Sequence, residues 1–234
     1  MENDDYFEDE EFSPIRSLLG LLTFSTILPI NVFTSIEYMT KLTWCWPFLH
    51  IFIGILAAAC GYVSIEFLHL NSFFTAAIVY AFLMIITGYN HLDGVMDMAD
   101  GVMVHGPPEK KIRIMKDPSV GAGGVATLFL VASLTIAGLY SILDYNFIFG
   151  IIICEMTAKT SLLTTALLSK PLTPGIGSYF MKETTVSNYL VSTLIIAVIA
   201  RRNFVLANGD VLGMSNEVGR LFSLLFMSIA LFYL

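Results

Sequence analysis

Charge is scarce in this chain. Only 13% of its 234 residues are Asp, Glu, Lys or Arg, against 56% hydrophobic residues. No basic stretch is interleaved with aromatics, which argues against a nucleic-acid partner. Cysteine is scarcer still: Cys45, Cys60 and Cys154 stand alone in apolar runs. Without paired spacing they form neither a zinc site nor a disulfide framework, and buried packing is the expected role. The chain does not begin with a basic segment, so its start is not that of a signal peptide. No internal repeat is visible, whereas many transporter folds are built from one.

What is there comes in long apolar blocks. A mean hydropathy of +0.76 exceeds that of soluble domains and reads as an integral membrane protein. The expected fold is all-α, a polytopic helical bundle of six to seven transmembrane helices. The blocks are Trp44–Ile65, Ser72–Gly88, Gly121–Leu143 and Phe147–Leu168, with weaker ones at Val186–Ala200 and Leu221–Leu234. Arg16–Phe33 is interrupted by Pro29 and reads either as a kinked span or as an interfacial helix. Trp44 and Trp46 suit interface anchors, and His50 suits a helix-packing histidine. Residues 1–12 carry seven acids and no base, while the remainder is balanced. Residues 1–13 are therefore expected to be a disordered acidic tail and 14–234 a single membrane-embedded domain. Lys110, Lys111, Arg113 and Lys116 place their connection on the cytoplasmic side, with Lys170 and Lys182 beside it, and the Asp144–Asn146 turn outside. Arg201, Arg202 and Arg220 break this alternation.

The densest charge beyond the tail lies between Asn90 and Gly124. Asp93, Asp97 and Asp100 are spaced i, i+4 and i+7, which puts three carboxylates on one helix face. Such a stripe repels itself unless a cation sits among it. Mg²⁺ is the natural cation, because it takes a few carboxylates plus substrate phosphate oxygens. A solvated acidic face is the plainer alternative. Arg113 and Lys116 follow and suit phosphate oxygens. Gly121, Ala122, Gly123 and Gly124 permit either close helix packing or close approach of a ligand to backbone. Glu155 and Lys159, i and i+4 inside an apolar segment, are either a mutually neutralising pair or a site in which Glu155 orients Lys159 toward an anion. Together these residues suit metal-assisted chemistry on a pyrophosphate at a membrane face. A cation or solute transporter is the non-enzyme alternative, but the acids sit at a span's end, beside a basic run.

Three families carry such carboxylates in membranes. Asp97-Met-Ala-Asp100-Gly101 resembles the CDP-alcohol phosphotransferases, but Val104 and His105 stand where that family has Ala-Arg, and its later Gly-x₃-Asp-x₃-Asp is absent. Membrane prenyl transferases carry a second Asp-rich motif, whereas residues 125–234 hold only Asp144 and Asp210. Gly88-Tyr-Asn-His91-Leu92-Asp93-Gly94-Val-Met-Asp97-Met-Ala-Asp100-Gly101, followed by Ile114-Met115-Lys116-Asp117 and Gly121-Ala-Gly-Gly124, resembles the adenosylcobinamide-GDP ribazoletransferase (cobalamin synthase) family. Two unusual blocks occur in order and at the right separation. Phe24 to Pro29, Trp46-Pro47 with Gly54, and Pro174-Gly175-Ile-Gly177 are weaker echoes. Ile27 replaces an early Arg, and Lys159 and Lys170 stand where Arg is common, which keeps charge but loses bidentate geometry.

The resemblance implies a membrane enzyme of cobalamin biosynthesis. In that reaction a hydroxyl of α-ribazole or its 5′-phosphate attacks the phosphate on the cobinamide arm of adenosylcobinamide-GDP, and GMP leaves. It implies Mg²⁺ on Asp93, Asp97 and Asp100. His91 and Asp117 compete as the base, with His91 alternatively orienting Asp93. Asn90, Gly94, Gly101, Arg113, Lys116, Gly121, Gly124, Glu155, Lys159, Lys170, Gly175 and Gly177 are the expected substrate contacts. The site is expected at the cytoplasmic face of a multi-pass protein in the cell membrane, and a homo-oligomer is left open.

Overall fold

The computed structural model describes residues 11–143, 147–172, 174–183 and 209–232. The expected acidic tail up to residue 10, the Asp144 turn, the 186–200 span and Arg201–Arg202 lie outside the described residues. Among the described residues the regular structure is helical.

Helix α1 (Pro14–Ser25) starts where the Ser13 side chain accepts the Arg16 N–H, with proline in the first turn, where no N–H is needed. Its twelve residues rise about 18 Å, short of the roughly 30 Å hydrocarbon core of a bilayer. The helix stops at Ser25 and the chain runs on without regular structure past Pro29, so this segment is too short to span on its own. A short α2 (Ile36–Thr40) and a 3₁₀ turn (Thr43–Cys45) lead into α3 (Trp46–Glu66), again with proline in its first turn.

Helix α4 (Ser72–Ile86) is capped by Asn71, whose Oδ1 accepts the Phe74 N–H at 3.0 Å. The turn after it uses left-handed backbone at Gly88 (φ 64°) and Tyr89 (φ 59°), which only glycine adopts without cost. That turn delivers the Asp stripe onto α5 (Leu92–Met103), followed by the amphipathic α6 (Pro108–Met115). Two long helices, α7 (Ala122–Leu143) and α8 (Phe147–Leu168), then α9 (Ile176–Glu183) and α10 (Gly209–Phe232), complete the described architecture.

Small residues let the long helices approach closely. A Cβ on Gly54 of α3 would lie 2.8 Å from the Ile152 Cα of α8, and one on Gly138 of α7 would lie 2.8 Å from the Leu224 Cβ of α10. Gly61 at the far end of α3 meets Phe147 at the start of α8, so the two run antiparallel. Helix α10 is also antiparallel to α8, with Gly219 against Ser161 and Met227 beside Gly150. Among the described residues three segments, Thr43–Glu66, Ala122–Leu143 and Phe147–Leu168, are long and apolar enough to cross a membrane. Their outward faces expose Phe48, Phe52, Phe129, Leu134, Phe149 and Ile153. A belt of that kind is expected where lipid is the solvent.

Candidate active site

The ends of α1, α4 and α8 and the starts of α3, α5, α9 and α10 meet at one end of the bundle. They enclose a cavity of about 250 Å³ lined by Phe24, Ser25, Trp46, Asn90, His91, Asp93, Gly94, Lys159, Leu162, Ile176, Gly177, Phe180, Leu212 and Gly213. Local bonds fix this convergence. The Trp46 Nε1–H donates to Ser25 Oγ at 2.6 Å, and the Asn90 amide donates to the Phe24 carbonyl at 3.3 Å. Trp46 stacks on Phe180 with centroids 4.7 Å apart. Trp46 is therefore pocket wall, almost fully buried, and not the interface anchor expected of it; Trp44 is exposed and keeps that reading.

Lys159 is the cation of the cavity. Its Nζ lies 4.8 Å above the Trp46 ring and 2.9 Å from His91 Nε2. With Lys159 as an ammonium, which only donates, Nε2 is the accepting nitrogen and the ring proton sits on Nδ1. Nδ1 faces Glu217 Oε1 at 3.7 Å, beyond hydrogen-bond reach. Burial, aided by the Lys159 and Arg220 cations, holds the His91 imidazole well below its usual pKa, so the ring is neutral.

Glu155 does not serve Lys159 in the way expected from their spacing, nor does it line the cavity. Its Oε1 accepts from Arg220 Nε at 2.6 Å, and its Oε2 accepts from Arg220 and from His50 Nδ1, each at 3.3 Å. The third Arg220 nitrogen, Nη1, donates to Glu217, whose other oxygen accepts the Asn216 amide. His50, Glu155, Glu217 and Arg220 are all fully buried. The i, i+4 pattern was overridden because Arg220, arriving on α10, offers a planar fork to two carboxylates where Lys159 offers a point charge. His50 is a packing histidine as expected, with a partner. The signal for the rest was present: Asn216, Glu217 and Arg220 interrupt an otherwise apolar C-terminal segment, and Arg220 disobeyed the loop-charge alternation.

The Asp stripe forms on α5 as the spacing demands, but its members face different surroundings. Asp93 is exposed at the cavity. Asp100 accepts the Gly121 N–H on Oδ2 and the Gly124 N–H on Oδ1, both at 2.7 Å. A Cβ on Gly124 would sit 2.7 Å from Asp100 Oδ2 and 2.8 Å from the Met96 carbonyl. The glycine run is thus a seat for Asp100 at the start of α7. Among the described residues no three His, Cys, Asp or Glu side chains converge as a metal site. Asp100, Asp117 and Gly121 line a second hollow of about 340 Å³ with Met103, Val104, Ile114, Ser119, Val120 and Gly123. The exposed Asp117 accepts the Ser119 N–H at 2.9 Å, which holds its carboxyl below the usual pKa.

Of the expected substrate contacts, Asn90, Gly94, Lys159 and Gly177 line the first cavity, beside His91 and Asp93. Gly121 lines the second hollow. Gly101 and Gly124 are buried, while Arg113, Lys116, Lys170 and Gly175 are exposed and outside both. Phe24, Trp46, Phe180, Leu212 and Gly213 are pocket residues that the sequence did not mark as such.

Fold and site define a membrane protein, helical among the described residues, with a small cavity of mixed polar and apolar lining at one end of its bundle, a buried lysine inside and an acidic helix at the rim. The chain belongs to the cobalamin-5-phosphate synthase family, whose profile matches residues 17–228. It is 30% identical over 93% of its length to the adenosylcobinamide-GDP ribazoletransferase of Methanococcoides burtonii, covering 92% of that protein. The proteins of the same name from Methanosarcina mazei and Picrophilus torridus are 29% and 28% identical over 89% and 92% of this chain, covering 90% and 98% of theirs. No solved structure matches the chain.

Proposed function

We propose that this protein is an adenosylcobinamide-GDP ribazoletransferase: it transfers the adenosylcobinamide phosphate group to α-ribazole or its 5′-phosphate and releases GMP. The observation that carries the reading is Lys159, a buried ammonium opening into a cavity whose nearest buried carboxylates are already engaged by Arg220. Among the described residues no carboxylate makes an ion pair with Lys159, and a buried cation so placed is complementary to an anionic ligand. A cavity of about 250 Å³ falls below the roughly 300–1,000 Å³ that encloses a drug-sized ligand. It suits the diphosphate end of the substrate, with the corrinoid outside.

The donor chemistry fits Mg²⁺, which is held through one or two carboxylates plus phosphate oxygens and not through a closed protein cage. Asp93 and Asp97, one turn apart on α5, would hold it, with Asp100 the third member of the stripe. When bound, it neutralises charge on the phosphate oxygens. Lys159 holds the diphosphate. The attacking hydroxyl forms a new P–O bond at the phosphorus on the cobinamide arm as the P–O bond to GMP breaks, and its proton passes to a base. Of the two candidate bases, Asp117 presents an exposed carboxylate, whereas the Nε2 of His91 is occupied by Lys159.

Helices α4 and α10 beside the three long apolar helices support a polytopic bundle of the kind expected, with six to seven spans. Lys110, Lys111, Arg113, Lys116 and Lys170 all belong to connections at the cavity end. By the excess of Lys and Arg in cytoplasmic loops, this supports a site facing the cytoplasm of a multi-pass protein in the cell membrane.

The test is GMP release from adenosylcobinamide-GDP and α-ribazole by purified, reconstituted protein, with and without Mg²⁺. Metal-dependent GMP release with a new corrinoid product is expected. No release, with solute uptake by the same vesicles instead, would replace the reading with a transporter.

A further inference from the structure

We infer that His91 is a positioning residue for Lys159 and not the base that takes the proton of the attacking hydroxyl, and that Glu217 fixes the ring in that role. This rests on the proposed function and assigns the parts of its phosphate subsite.

One ring nitrogen is engaged by Lys159, and the other faces a buried carboxylate beyond hydrogen-bond reach. Nε2 lies 2.9 Å from Lys159 Nζ; with Lys159 as an ammonium, which only donates, the lone pair a base would use is turned to that group. Nδ1 carries the proton and finds no hydrogen-bond partner, facing the Glu217 carboxylate at 3.7 Å. A base must have its lone pair within reach of the proton it takes. The opposite tautomer would set an N–H against an N–H at Lys159 and a lone pair against a carboxylate, so the two buried charges select one form between them.

Glu217 is itself held through both oxygens. One oxygen faces Arg220 and the other accepts the Asn216 amide at 3.0 Å. Arg220 is in turn clamped to Glu155, which His50 also contacts. The chain of contacts therefore runs from α3 and α10 through Glu217 and His91 to Lys159, and only the last two reach the cavity. Lysine has a long flexible stem, whose ordering opposes binding. Seating Nζ between the His91 lone pair and the Trp46 face leaves its other N–H groups for phosphate oxygens and removes that ordering step from substrate binding.

The test compares wild type, His91→Ala, His91→Gln, Lys159→Ala and the His91→Ala/Lys159→Ala double variant. GMP release and thermal stability are measured for each in reconstituted protein. The wild-type rate alone reports on the proposed function. Given turnover, His91→Ala is expected to weaken apparent affinity for adenosylcobinamide-GDP, read as a KM raised by about one to two decades, the worth of one charge-assisted hydrogen bond, with a smaller change in kcat. The glutamine amide oxygen stands in for Nε2 as an acceptor, so His91→Gln should recover most of that loss. The double variant should be no worse than Lys159→Ala, because both act through the same ammonium. If both His91 variants instead lose about two decades or more in turnover rate at saturating substrate, the inference is overturned and His91 is the base. Independent, additive losses in the double variant would overturn it equally. If His91→Ala does not fold, His91→Gln decides: recovery of KM supports the role, and a collapse in turnover refutes it.

Discussion

Asp93 and Asp100 lie on the same stripe of α5, yet their amide variants should fail in different ways. Asp100 uses both oxygens structurally, each accepting a backbone N–H at 2.7 Å from the start of α7. In Asp100→Asn the amide oxygen satisfies one of these, while the NH₂ faces the other N–H. One bond drops from charged to neutral and one part-buried donor is orphaned, for a cost of about 2–4 kcal/mol. On the scaling of proteins this size, that lowers Tm by about 4–16 °C. Asp93 is exposed at the cavity and is the end of a like-charge series. Asp93→Asn should therefore leave Tm unchanged or raise it slightly, by relief of about 0.2–0.5 kcal/mol of repulsion, while GMP release is lost. Thermal unfolding in detergent and GMP release, measured on both variants, separate the roles. Equal Tm values for Asp100→Asn and Asp93→Asn would refute the seating of Asp100 on the glycine run.

Gly124→Ala puts a Cβ against both Asp100 and the Met96 carbonyl, so α5 and α7 must part; we expect a loss of about 1–3 kcal/mol and turnover falling with it. Arg220→Met strands two buried carboxylates and should cost about 3–5 kcal/mol, read as a fall in Tm that Glu155→Gln and Glu217→Gln in the same chain partly reverse. Lys159→Ala should weaken adenosylcobinamide-GDP binding by about one to two decades with a Tm change smaller than that of Arg220→Met, because among the described residues no carboxylate makes an ion pair with Lys159; unchanged affinity would remove Lys159 from the phosphate site.

Much of this was legible in the sequence, for physical reasons. Unbroken apolar runs fix helices whose only alternative in lipid is unsatisfied backbone, so the residues of α8 match those expected and α3 starts two residues late. The i, i+4, i+7 acids fixed a shared face for Asp93, Asp97 and Asp100. Spacing on one helix could not reveal partners on another. Glu155 and Lys159 read as a pair because nothing in their own segment competes, and Arg220, 65 residues on, takes the carboxylate. The glycine run suited packing and ligand approach alike, and only the α5–α7 crossing shows that it seats Asp100. Trp46 read as a membrane anchor because an aromatic at a helix start is common there; Ser25 and Phe180, distant in sequence, make it a pocket wall.

The central claim is that the diphosphate of the activated corrinoid lies in the cavity between Lys159 and the Asp stripe. The most direct measurement is a structure of the reconstituted protein with adenosylcobinamide-GDP and Mg²⁺ under non-turnover conditions. The account predicts phosphate oxygens within hydrogen-bond distance of Lys159 Nζ, the metal on Asp93 and Asp97, and the corrinoid outside the cavity. Diphosphate density over the exposed Arg113 and Lys116, with the Lys159 cavity unchanged, would contradict it.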